Sequence, residues 1–330
     1  MAAPQVVSAS STAAFLLRCA RAPQRWYYPC NAKHREPVCC SFELRPAAVP
    51  VLLHECAWSD GGTGWRAWPC ALLLACWLAH SGSVRGRSVL EVGCGLGLPG
   101  LAAAALGAAR VVLTDCLPRL LTEAVARSVA AMRAALGGDA VDLTAALLDW
   151  DDEAPPAAGE TYSTEQAVRA DQRADQAHSA SETPPVLAEG AKSLAGGAKF
   201  DLLLASDVIY SATHAAQLPV VLAARAAPGA TLYAMVPIRS AEHTRLFLAG
   251  LQRRHFDVRA SVVNVAWVEP VVATQVGAVG SEAGAGVGQA AGGADLPRGV
   301  AYDGARFALS EGDVLFVEAR LQHQPADDLT

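Results

Sequence analysis

Two stretches of this chain hold residue types that could do chemistry together. The first reads Glu91-Val92-Gly93-Cys94-Gly95-Leu96-Gly97 and runs on through Leu98-Pro99-Gly100, with Asp115 closing the next apolar run. The second reads Ser206-Asp207-Val208-Ile209-Tyr210. In the first, a short hydrophobic strand ends in an acid and breaks into a glycine-rich turn. A small-residue helix and a second strand ending in Asp115 follow. Glycines let backbone approach a ligand closely, and an acid at the end of the second strand accepts hydrogen bonds from ribose hydroxyls. The unit therefore predicts an adenosine-containing cofactor.

Two cofactors compete for this turn. Gly95, Gly97 and Gly100 fit G-x-G-x-x-G, and Asp115 lies twenty residues beyond Gly95, as a nicotinamide dinucleotide would require. Against that, the acid Glu91 stands two residues before Gly93, and Pro99 sits where a pyrophosphate-binding helix needs free amides. S-adenosylmethionine has no phosphate and so fits better. Its methionine end and positive sulfonium would be served by Glu91, through hydrogen bonds or water. At the second stretch, the Asp207 carboxylate could hold an incoming ammonium or guanidinium, and Tyr210 could orient the nitrogen or stack beside it. The plainer reading makes Asp207 the cap of a helix starting near Ser211 or Thr213.

The elements that must place these residues alternate strand and helix. Strands are expected at 88–92, 110–114, 140–148, 200–206, 230–236, 256–267 and 313–321. Helices are expected at 67–80, 98–106, 118–136, 212–226 and 240–255. Such alternation implies a parallel sheet with helices on both faces, that is, an α/β, doubly wound, Rossmann-like arrangement. No helix separates the last two strands, so they should pair as an antiparallel C-terminal hairpin at one sheet edge. A dinucleotide fold would need a second parallel half instead.

Composition narrows the class. The 330 residues are 52% hydrophobic, enough for a sizeable core, yet no apolar run reaches bilayer length. The net charge of −6 is all accounted for by residues 151–198, where nine acids meet three bases. A basic nucleic-acid face is thus not signalled, and no direct nucleic-acid binding and no membrane are expected. Residues 151–198 and 276–299 read as low-complexity insertions, the first rich in Ala, Glu, Ser, Pro and Gln, the second in Gly and Ala. Residues 1–50 read as a basic tail; the first 35 carry five bases and no acid, which also suits an organellar transit peptide. All nine cysteines lie between Cys19 and Cys116. That suits reduced thiols in the cytoplasm or nucleus better than a disulfide framework. Cys30, His34, Cys39 and Cys40 match no standard zinc spacing, so no metal is expected.

The motif run with its Leu98-Pro99-Gly100 resembles the family-16 protein methyltransferases, mainly a lysine-modifying branch. Gly64-x-x-x-Trp68-Pro69-x-Ala71 is similar to that family's helix before the first strand, and Leu147-Leu148-Asp149-Trp150 to its adenine-side loop. Ser206 to Tyr210 matches its Asp-x-x-Tyr signature, and Arg239 to Phe256 its late helix. The resemblance covers about residues 60–150, 199–267 and 313–321. It implies the seven-stranded methyltransferase fold and an S-adenosylmethionine-dependent N-methyltransferase with a protein substrate. It assigns Asp207 and Tyr210 to the substrate end. Trp68, Glu91, Gly93, Gly95, Gly97, Asp115, Asp149, Trp150 and Ser206 fall at the cofactor. Thr114-Asp115-Cys116 and Leu148-Asp149-Trp150-Asp151 look like a lysine-methylating branch. Trp68-Pro69-Cys70-Ala71 and Ile238-Arg239-Ser240-Ala241 look like one that methylates histone arginine. Lysine is the expected acceptor and arginine the alternative; a third possibility is a non-catalytic, cofactor-binding scaffold.

Overall fold

The computed structural model describes residues 5–6, 39–44, 49–138, 141–153, 192–263, 300–303 and 307–322. The expected insertions fall for the most part outside these residues, as do Cys30 and His34. Three short strands open the chain: β1 (Gln5–Val6), β2 (Cys39–Leu44) and β3 (Val49–His54). β2 and β3 pair antiparallel, and β1 lies parallel to β2. This small sheet was not legible in the pattern of the first 50 residues. β3 is nonetheless tied to the main body: Val51 and Leu53 are fully buried, and His54 N donates to Ser128 Oγ over 2.9 Å.

The main sheet contains β4 (Ser88–Val92), β5 (Arg110–Asp115), β6 (Asp142–Leu147), β7 (Phe200–Ser206), β8 (Ala226–Pro237), β9 (Phe256–Val262), the two-residue β10 (Val300–Ala301) and β11 (Val314–Leu321). Their order is β10-β9-β11-β8-β7-β4-β5-β6. β6, β5, β4, β7 and β8 run parallel, while β11 is antiparallel to both β8 and β9. The seven expected strands and the closing antiparallel pair are thus present. The last strand enters between β8 and β9, so the edge of the hairpin is β9, extended by β10.

Helices cover both faces: α1 (Trp58–Gly61), α2 (Pro69–Ser81), α3 (Leu98–Ala105), α4 (Pro118–Leu120), α5 (Ala126–Ala135), α6 (Trp150–Glu153), α7 (Ala212–Arg225) and α8 (Ala241–Arg253). Alternate strand residues feed two cores, as the period of two requires. Val89, Val111, Leu113, Leu202 and Leu204 face the layer of α2, α3 and α5. Leu90, Val112, Leu203, Ala205 and Leu232 face α7 and α8.

Two helices need comment. α2 is apolar all round, and Pro69 through Ala79 are buried. It starts on Pro69, which lacks the N–H that a first helical turn leaves unpaired, and stops at Gly82 with φ +62°. Its Trp77 packs on Tyr233 and Phe316, with ring centroids 4.3 and 4.6 Å apart, which locks the helix over β8 and β11. The single helix expected over 118–136 is instead interrupted by a π turn at Leu121–Val125 between α4 and α5. Such turns insert a residue into the hydrogen-bond ladder and re-aim the chain, here next to the turn that follows β5.

Candidate active site

The carboxyl ends of β4, β5, β6 and β7 open into one cavity of about 780 Å³. This is where an open α/β sheet offers space for a ligand, at the point where strand order reverses between β4 and β7. Trp68, Gly93, Gly95, Gly97, Asp115, Asp149, Trp150, Ser206 and Tyr210 all line it. Residues as far apart in sequence as Gly62 and His214 therefore meet at one edge. Glu91 and Asp207 do not line it.

The glycine turn owes its form to backbone freedom. Gly93, Gly95 and Gly97 have φ of +63°, +52° and +80°, values that side chains oppose. A Cβ at Gly93 would stand 2.9 Å from Val208 Cγ1 and 3.3 Å from Trp150 Cζ2. A Cβ at Gly100 would stand 2.2 Å from Leu113 Cδ2, so α3 lies as near to β5 as backbone permits.

The amides of this turn are largely spent inside the protein. Cys94 N donates to Thr114 O, Gly97 N to Cys94 O and Leu101 N to Gly97 O. Gly95 N donates to Asp115 Oδ2 over 3.0 Å, and Gly100 N to Glu91 Oε2 over 2.8 Å. Pro99 has no amide to offer. A pyrophosphate needs several free N–H groups at this helix start, and five of the amides between Cys94 and Leu101 are committed. The site suits an adenosine cofactor without phosphate.

Glu91 differs from expectation in its place. It is wholly buried behind the turn, and among the described residues its Oε1 has no hydrogen-bond partner. Burial pushes its carboxyl up to about 8, with the Gly100 amide pulling the other way and Asp115 adding to the rise. A neutral, buried carboxyl does not reach a ligand's ammonium; it braces the first turn of α3 through Gly100. Asp115 remains at the cavity. Burial raises its carboxyl above the usual range, while Gly95 N and Leu117 N hold its two oxygens. Cys116 adds further hydrogen bonds to the same carboxylate.

The opposite wall is aromatic. The His214 ring stands edge-on between Trp150 and Tyr210, with centroids 5.6 and 5.7 Å away. His214 is half-buried and lines the cavity. Asp149 Oδ1 accepts from Asp151 N over 3.0 Å, which starts α6 and sets Trp150 against the turn. Trp68 Nε1 donates to Thr63 O over 2.7 Å, anchoring its indole at the cavity mouth.

Asp207 is not a helix cap: the cap of α7 is Ser211, whose Oγ accepts from His214 N over 3.1 Å. Asp207 is only 2% exposed and has φ +58°, a conformation that costs a side chain about 1–2 kcal/mol. Its Oδ1 lies 2.5 Å from Arg239 Nη1. The same guanidinium lies over the Tyr210 ring, 5.2 Å from its centroid. Arg239 is the residue that sequence reasoning missed at this end, although it follows β8 at the same sheet edge as Asp207. Among the described residues, no group of His, Cys, Asp or Glu could hold a metal ion, and no helix is long and apolar enough to cross a membrane.

Residues 51–173 match the model of a family described as lysine methyltransferase. Among curated proteins, the chain is 51% identical over 68 residues to the histone-arginine methyltransferase METTL23 of Mus musculus, a match covering 20% of this chain and 24% of that one. It is 40% identical over 87 residues to the Homo sapiens METTL23, covering 26% and 44%. The chain thus spans less than half the length of the curated relatives it matches. Solved structures that resemble it include the T. thermophilus 16S rRNA N2 G1207 methyltransferase in complex with AdoMet and guanosine (TM-score 0.39, 20% identity, 68% of this chain and 47% of that one). Another is the magnesium protoporphyrin IX methyltransferase of Synechocystis with bound SAM (TM-score 0.40, 16% identity, 76% and 78%). The matched residues carry the glycine turn and Asp115, and over them the chain is similar to the family-16, S-adenosylmethionine-dependent methyltransferases.

Proposed function

We propose that this chain transfers a methyl group from S-adenosylmethionine to a side-chain nitrogen of a protein, with lysine as the acceptor. The observation that carries the reading is the meeting of the glycine turn, Asp115, Trp150 and Tyr210 on one cavity. Asp115 would take the ribose hydroxyls, Trp150 and Asp149 the adenine side, and the turn at Gly93–Gly97 the backbone of the methionine end. S-adenosylmethionine, when bound, supplies a methyl on a positive sulfur. The protein's part is to align a nucleophile with that methyl and to exclude water.

The acceptor end favours an amine. A lysine must lose its proton, having a free pKa of about 10.4. Entry between Tyr210, Val208 and Ala71, which line the cavity, would lower that value by desolvation. A guanidinium stays charged and needs a carboxylate to hold it. The carboxylates on the cavity, Asp115 and Asp149, belong to the cofactor end, and Asp207 is already paired. A second reading, arginine methylation, is supported by the names of the curated relatives and would require Arg239 to release Asp207.

The test is incubation of the purified chain with methyl-labelled S-adenosylmethionine and a pool of histones and other proteins, followed by amino-acid analysis. Label in methyllysine supports the first reading and label in methylarginine the second. Calorimetry with S-adenosylhomocysteine is the companion measurement. Binding without transfer would indicate a scaffold, and no binding would remove the enzymatic readings altogether.

A further inference from the structure

The Asp-x-x-Tyr stretch does not present a free carboxylate. Asp207 is 2% exposed and held in a left-handed backbone conformation, with its amide donating to Met235 O over 3.0 Å. Its carboxylate is occupied by Arg239, whose side chain is 21% exposed. The guanidinium plane does two jobs at once, pairing with Asp207 and covering the ring of Tyr210. Arg239 is itself held in place. Ile238 N donates to Asp313 O and Gly312 N to Ile238 O, each over 2.8 Å, so the end of β8 is clasped by the turn that leads into β11.

A planar fork suits this double contact, since arginine can form an ion pair along its edge while stacking through its face. Tyr210 is the large aromatic at this end that reaches solvent, being 41% exposed, and it also lines the cavity. Its ring is thus fixed on one side by Arg239 and on another by His214. Asp207 touches the cavity through no atom of its own.

We propose that Arg239 is the positioning residue of the acceptor end. It acts through Asp207 and Tyr210, so that an incoming side chain meets an oriented Tyr210 beside a neutralised ion pair and not a bare carboxylate. This rests on the methyltransferase reading above, and the readouts separate the two. Substrate recognition then depends on the Tyr210 face, and Asp207 serves to hold Arg239.

The experiment uses the full chain with S-adenosylmethionine and a protein that accepts label from the wild type. Three variants are compared: Arg239→Lys, Arg239→Met, and Asp207→Asn combined with Arg239→Met. Arg239→Lys keeps the charge and loses the planar fork. It is expected to raise KM for the protein acceptor about tenfold or more, with affinity for S-adenosylhomocysteine within about twofold of wild type. Arg239→Met leaves a buried carboxylate without its partner and could fail to fold. The double variant removes both charges, and it is expected to fold, to bind S-adenosylhomocysteine normally and to retain measurable transfer with a raised KM. Wild-type KM in Arg239→Lys would overturn the proposal. So would equal losses of acceptor and cofactor affinity, which would mark a general structural role. A folded, cofactor-binding double variant with no transfer at all would also overturn it, by showing that Asp207 itself is indispensable. Failure of the wild type to bind S-adenosylhomocysteine would instead sink the methyltransferase reading.

Discussion

Glu91 and Gly100 are joined by a 2.8 Å hydrogen bond from the backbone amide to Oε2, entirely inside the protein. The acid that opens the glycine turn therefore closes it from behind, and its chemistry is that of a buried, largely neutral carboxyl.

This has a pH signature. Glu91 ionises near 4.5 in an unfolded chain and near 8 in the folded one. A group whose folded value is raised favours folding fully below its unfolded value, and that contribution is lost as pH rises through the folded value. Glu91→Gln can still accept from Gly100 N and cannot ionise. The melting temperature of the variant relative to wild type should therefore rise steadily from pH 5 to pH 8. Parallel melting curves across that window would show that Glu91 is not neutral in the folded chain.

Gly93 and Gly82 make a matched pair. Both have positive φ, +63° and +62°, so alanine at either costs about 1–2 kcal/mol of backbone strain. Among the described residues nothing lies within 4 Å of a Cβ at Gly82, whereas one at Gly93 presses on Val208 and Trp150. Both variants should melt lower, and only Gly93→Ala should also weaken binding of S-adenosylhomocysteine. Equal affinities by calorimetry would mean that Trp150 does not contact the cofactor.

Asp115→Asn keeps one acceptor oxygen for the turn and loses the charge. A hydrogen bond to a charged group contributes about 1.5–3 kcal/mol, and every 1.4 kcal/mol is about tenfold in affinity. The variant should fold and bind S-adenosylhomocysteine at least about tenfold more weakly. An unchanged dissociation constant would take Asp115 out of the ribose site.

Arg225 ties Glu153, the last residue of α6, to Ala195. Its guanidinium pairs with Glu153 and donates to Ala195 O over 2.8 Å, with the side chain 5% exposed. Arg225→Met should cost about 2 kcal/mol of stability by analogy with other charged hydrogen bonds. It should also lower cofactor affinity, because α6 begins at Trp150. In Glu153→Gln, the further loss on adding Arg225→Met should be smaller than in wild type, as thermal denaturation would report. Strict additivity would show that the two side chains do not act as a pair.

Much of the architecture was legible in the residues. Strands 88–92 and 200–206 are read to the residue, because a buried parallel strand is a short apolar run bounded by polar or glycine punctuation. The antiparallel close followed from the missing helix between the last two strands. The π turn at Leu121–Val125 was not legible, since its side-chain periodicity is that of an ordinary helix. Neither was the docking of β3, whose Leu52 and His54 amides meet Met132 and Ser128, 80 and 74 residues further along the chain.

The sequence by itself determined that a glycine turn would follow the first strand of a doubly wound sheet, that an acid would end the second strand, and that an Asp-x-x-Tyr stretch would end the fourth. Spacing and hydrophobic period are local properties, and these features are local. Which of those acids face the cavity was decided only by tertiary structure. Asp115 faces it, while Glu91 turns back to Gly100 and Asp207 is taken by Arg239, 32 residues further along the chain. A carboxylate's role depends on its solvent exposure and its partners. Both are set where distant segments pack, and no reading along the chain contains them.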